Sequence, residues 1–213
     1  MPFFKPWMRK EPDKETNHTL KPFWLSGMPT QDEAVIRSNR QLRLLSIYGI
    51  GGCSVIELNE RQMDLWLGFA MGGSKDHEGI RLLLAKAIPK AYKAVILDGK
   101  DCTEYFSGEH NTRVRETKTT ESQIQLCLAR EGELLDILDR AKAGRLLMTN
   151  TRLLRSKIGK SLGKIGLIGF ENGQAEHAFL DFLPGARIGD NVIMHRNIAC
   201  EIPERSGDRR ERS

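Results

Sequence analysis

Apolar and polar positions along this chain fall into stretches with a helical period and shorter stretches that alternate. In TQDEAVIRSNRQLRLLSI, residues 30–47, Val35, Leu42 and Leu45 stand at partial helical spacing. Thr30 fits an N-cap, and Asp32 and Glu33 fall in the first turn, where carboxylates favour a helix start. YGIGGC then predicts a turn and CSVIEL a short strand. Asn59 with Gln62 three positions on has the form of a capping box, so a helix is expected through ERQMDLWLGFAM, ended by GGS. A further helix is expected over about 76–94, kinked or divided by Pro89, which lacks the N–H a helix interior needs. KAVILDG, residues 93–99, predicts a strand.

Composition turns polar over 100–120, and a linker is expected at 107–120. Ile124, Leu128, Leu134, Leu135 and Leu138 then recur helically, weakened at Gly132 and stopped at Gly144. A basic helix follows. GLIGFENGQAEHAFLDFL predicts two strands around Asn172-Gly173, a strong hairpin signal because both residues tolerate positive φ. The resulting division is an arm at 1–22, a mixed helix-and-strand unit at 23–106, the linker at 107–120, a second unit at 121–183, and a strand-like segment with a charged tail at 184–213.

Charge changes this picture at one place. The chain carries 33 Lys and Arg against 28 Asp and Glu, a net of +5. Between Arg140 and Phe170 stand eight basic residues, at 140, 142, 145, 152, 155, 157, 160 and 164, and no acidic one. The rest of the chain is therefore slightly acidic, and a local positive field of this kind suits a polyanion. On a helical wheel Leu154, Ile158, Leu162 and Ile165 share one side, with Arg152, Ser156 and Lys160 opposite. Arg155, Lys157 and Lys164 flank, and Thr149, Asn150 and Thr151 supply caps.

The order of helix, turn, basic helix opening Thr-Arg, then LGKIGLI and a hairpin resembles a winged helix-turn-helix. Thr151, Arg152, Ile158, Leu162, Gly166, Leu167 and Ile168 stand at the matching positions, and the likeness covers about residues 121–183. Arg155 departs from the family's apolar residue at that position, the turn AGRLLMTN is long, and the wing tip has Glu171 and no Arg. The resemblance implies an α+β protein whose second unit binds double-stranded DNA, with 151–163 lying in the major groove. It would set Arg152, Ser156 and Lys160 at base edges or nearby phosphates. Thr149, Thr151, Arg155 and Lys157 would hold the backbone, with Lys164 alongside in the DNA-binding set. The first unit would serve dimerisation or partner contact.

Other chemistry is weakly marked. No apolar run reaches the length of a membrane span, and MPFFKPWMRKEP has no apolar region after its first charge, so neither a membrane role nor a signal peptide is expected. The cysteines at 53, 102, 127 and 200 have no zinc spacing, which fits thiols in a reducing cytoplasm and no metal. Gly-Lys-Ser at 159–161 lacks the earlier glycine of a phosphate loop, since Leu154 stands there. Asp98 and Asp101 faintly suggest a phosphatase loop, but Lys100 occupies its second aspartate position. The expectation is a cytoplasmic, homodimeric, cofactor-free DNA-binding protein that regulates transcription or handles DNA for a mobile element and is not an enzyme. The alternative is an adaptor whose basic helix binds an acidic protein partner or anionic surface.

Overall fold

A computed structural model of the chain describes residues 31–50, 58–139 and 157–203. Helix α1 is Gln31–Ile50 and α2 is Glu60–Ala70. The capping box forms as expected: the Asn59 side chain accepts from Gln62 N–H at 2.9 Å, and the Gln62 side chain accepts from Asn59 N–H at 3.1 Å. The two helices cross closely because Gly49 has no side chain. A Cβ there would lie 2.7 Å from the Trp66 ring, whose indole N–H donates to the Ser46 carbonyl at 2.7 Å. Helix α1 continues through Tyr48–Ile50, where a turn was expected. The Thr30 cap and the arm at 1–22 lie outside the described residues, as does the strand expected at 53–58 except for Leu58, which is in no strand.

Helix α3, His77–Ala87, starts on the Asp76 side chain and stops before Pro89, which opens α4, Pro89–Tyr92. The strand expected at 93–99 does not form. The helix instead widens into a π-helix over Lys93–Leu97 and ends at Gly99, whose φ is +72°. Ala94 and Val95 from that segment join the core, so packing overrides the strand preference of a Val-Ile pair. The expected linker is also helical. Helix α5, Cys102–Glu104, runs through a second π-helix, Tyr105–His110, into α6, Asn111–Thr117. Most of its polar residues face out, Asn111 excepted, while Cys102, Tyr105, Phe106 and Val114 are buried.

The helix expected over 121–144 is mostly absent. Helix α7 covers Glu121–Cys127, and β1, Ala129–Asp139, follows. Short helix α8 is Lys157–Ser161, and four strands follow it among the described residues: β2 Lys164–Gly169, β3 Ala175–Phe179, β4 Asn191–His195 and β5 Ile198–Glu201. The β2–β3 hairpin turns at Gly173, φ +79°, as the Asn-Gly pair predicts.

The five strands close into a barrel in the order β1-β2-β3-β5-β4. Strand β1 serves both sides. Ala129–Glu133 pairs with β4 and Glu133–Asp139 with β2, and the register shifts between Leu134 and Asp136. That bulge bends the strand so it can reach both neighbours. Strands β3 and β5 meet in parallel at Phe179 and Ile198 and close the ring. Leu134, Ile168, Ala178, Leu180, Val192, Met194 and Ala199 form one core cluster of the barrel. A second, larger cluster joins helices to barrel: Leu42, Tyr48, Trp66, Leu84 and Phe106 pack with Ile165, Phe179, Ile193, Ile198 and Cys200. The α+β class therefore holds, with a closed barrel standing where the winged helix-turn-helix was expected.

Candidate functional site

The basic stretch is the connection between β1 and β2. Thr149, Thr151, Arg152, Arg155 and Ser156 lie outside the described residues, as does the part at 151–156 of the helix expected over 151–163. Lys157 and Lys160 are exposed on α8, three positions apart and so on neighbouring parts of its surface. Lys164 is exposed at the first position of β2. Ile158, Leu162 and Ile165 turn inward as expected, but the helix ends at Ser161 and not at 163: only Ile158 lies on α8, Leu162 follows it, and Ile165 belongs to β2. Leu154 lies outside the described residues.

Two carboxylates hold this end of the connection, and sequence spacing did not mark either. Asp64 of α2 accepts from the Ile158 N–H at 3.1 Å. Asp181, just after β3, accepts from Gly163 N–H at 3.0 Å and from Lys164 N–H at 3.3 Å. Both act on backbone, so the lysine side chains keep their exposure. Glu131, Glu133 and Asp136 of β1 are exposed, which makes that strand's outer side acidic.

A second cluster is buried where α1, α6, α7 and β4 meet. His195 is 1% exposed and sets Nδ1 2.8 Å from the Tyr48 carbonyl and Nε2 3.1 Å from the Cys127 carbonyl. A neutral imidazole has one N–H and can donate to one of these carbonyls. Burial, with His110 next in effect, pushes the His195 pKa down to about 3. The His110 ring stands 5.0 Å away, and burial lowers its pKa too. Asn111 donates to the Ala129 carbonyl and accepts from the Ala129 N–H, both at 2.8 Å, pinning the start of β1. These contacts join elements and leave the groups little access to solvent.

The thiols of Cys102, Cys127 and Cys200 are free and buried, and burial raises the pKa of Cys102 and Cys200. Among the described residues no group of three or more His, Cys, Asp or Glu is placed to hold a metal ion. Asp98 ends a π-helix, not a strand, and pairs on the surface with Lys93 at 3.4 Å, so the phosphatase-loop geometry does not arise. No described helix is long and apolar enough to cross a membrane. Comparison with protein-family models, with curated proteins and with solved structures finds no match.

Proposed function

We propose that this protein binds nucleic acid, without catalysing a reaction on it, through the basic connection between β1 and β2. The observation that carries this reading is the charge of that one connection: eight Lys and Arg from Arg140 to Lys164 with no Asp or Glu. Its described end supports it, because Lys157, Lys160 and Lys164 face solvent from a backbone that two carboxylates hold. Such an array attracts phosphates through counterion release.

The barrel is compatible with this. Its strand order, with β3 parallel to β5, is that of OB-type Greek-key barrels, in which the first-to-second-strand loop is a common contact for oligonucleotides. Fold alone does not assign function, so the charge carries the proposal and the topology accompanies it. Exposed Glu131, Glu133 and Asp136 repel phosphate from the outer side of β1, which confines contact to the connection. Double-stranded DNA bound by a homodimer in the cytoplasm, with transcriptional regulation as the outcome, is the form we propose.

Heparin retention followed by gel shifts on random duplex and single-stranded probes tests this. Replacing Lys157, Lys160 and Lys164 together by Glu should abolish retention and shift while leaving the melting curve in place. Equal shifts by wild type and the triple variant would remove the connection from the interface. A wild type that shifts no probe would leave an acidic protein as the ligand.

A further inference from the structure

Charge attracts phosphates, and cations already held in a fixed arrangement bind them more tightly because less conformational freedom is lost on contact. The end of the basic connection is held by α2, an element of the helical layer and not of the barrel. Asp64 and Gly68 are one turn apart on that helix, and both meet α8. Asp64 takes the Ile158 N–H at 3.1 Å, and Gly68 faces the Ile158 side chain, whose Cδ1 would stand in ordinary contact, 3.6 Å, with a Cβ at that position. Asp181 takes the amides at the other end, Gly163 and Lys164. Lys157, Lys160 and Lys164 are thus carried on a backbone fixed at both ends by carboxylates.

These carboxylates present a conflict of sign. Negative charges beside a cationic array weaken its pull on phosphate. Nothing in a purely electrostatic interface would call for them there. We infer that Asp64, with Asp181, is a positioning residue for the polyanion site, holding the three lysines so that they reach phosphates together. This rests on the nucleic-acid reading above. It adds that the helical layer, through α2, sets the geometry of the site on the barrel.

Paired substitutions at each position separate positioning from charge. Asp64→Asn keeps the side-chain oxygen that accepts from Ile158 N–H and removes the charge. Asp64→Ala removes both. Binding of the full chain to a labelled random duplex is measured across salt, with thermal melting as the check on folding. Positioning predicts that Asp64→Ala binds about eight-fold more weakly at 0.1 M salt, with a log–log slope shallower by about 0.9, for each phosphate the lysines no longer reach. Asp64→Asn should bind at least as tightly as wild type. Asp181→Asn and Asp181→Ala should repeat the pattern and decide the matter if Asp64→Ala does not fold. Alanine variants that fold and bind as tightly as their asparagine counterparts would overturn the inference. A wild type that binds no duplex or single strand would overturn the nucleic-acid reading instead.

Discussion

Arg130 and Glu176 form an ion pair 2.6 Å long between two strands, β1 and β3, that do not pair with each other. Register explains it. Arg130 stands opposite Met194, and Glu176 stands opposite Ile168, and both partners belong to the barrel core cluster. The two charges therefore face inward and meet across one end of the barrel. The guanidinium also lies 4.2 Å from the centre of the Phe170 ring. Glu176→Ala should destabilise the fold by about 1–3 kcal/mol, because it leaves a mostly buried guanidinium without its charged acceptor, with the Gln125 Oε1 at 3.3 Å remaining. The double change Arg130→Met with Glu176→Leu should cost less than Glu176→Ala alone, since apolar replacements of a buried pair are often tolerated. Urea midpoints for the three proteins check this. A double variant less stable than the single one would mean the pair does more than plug the barrel.

Strand β1 can be tested at Gly132. A Cβ there would lie 2.5 Å from the Gly169 carbonyl oxygen and 2.8 Å from Ile168 Cγ2. Gly132→Ala should destabilise by about 1–3 kcal/mol, the range for overpacking. Were this segment a helix, as its apolar spacing suggests, the same change would stabilise by roughly 0.8–1 kcal/mol. Gly108 is the control. It lies in the second π-helix with nothing within 4 Å of its added Cβ, so Gly108→Ala should be neutral or mildly stabilising. Melting temperatures of both variants decide between strand and helix by sign.

The difference between pattern and fold at this strand has a local cause. The bulge between Leu134 and Asp136 breaks the two-residue alternation, so Leu134, opposite Ile168, and Leu138, opposite Ile165, fall on opposite faces of β1, and their helix-like spacing does not mark one buried stripe. The segments at 93–97 and 105–110 misled for another reason. Their residues are chosen by what they pack on, and no short-range signal distinguishes a π-helix. What was legible was local: the Asn59–Gln62 box, the stop before Pro89 and the Asn172-Gly173 turn. The burial of Ile158, Leu162 and Ile165 was legible, although only Ile158 lies in the helix that the spacing predicted. Asp64 was not, because it meets Ile158 across 94 positions of chain.

The buried His195 makes stability depend on pH. Its folded pKa, about 3, lies below the ordinary 6.5, so the unfolded chain binds the extra proton first as pH falls. Stability is unaffected above about 6.5 and is lost progressively from there down toward pH 3. The His195 contribution to the slope approaches about 1.4 kcal/mol per pH unit within that window. His110, also shifted down, adds in the same direction. Urea unfolding at pH 7, 6, 5 and 4 should show the loss, and His195→Asn should flatten it. A wild-type stability that rises on acidification would mean His195 is held as an imidazolium donating to both the Tyr48 and Cys127 carbonyls.

Binding through the basic connection is tested most directly by titrating salt against the intact chain and a labelled DNA duplex. Four to six of its eight cations reaching phosphates would give a log–log slope of about −4 to −5 per protomer, at roughly 0.9 per phosphate, doubled in a dimer. Replacing Lys157, Lys160 and Lys164 by Ala should make it shallower by up to about 2.7 per protomer. A wild-type slope near zero, or one the three substitutions leave unchanged, would contradict phosphate binding by this segment.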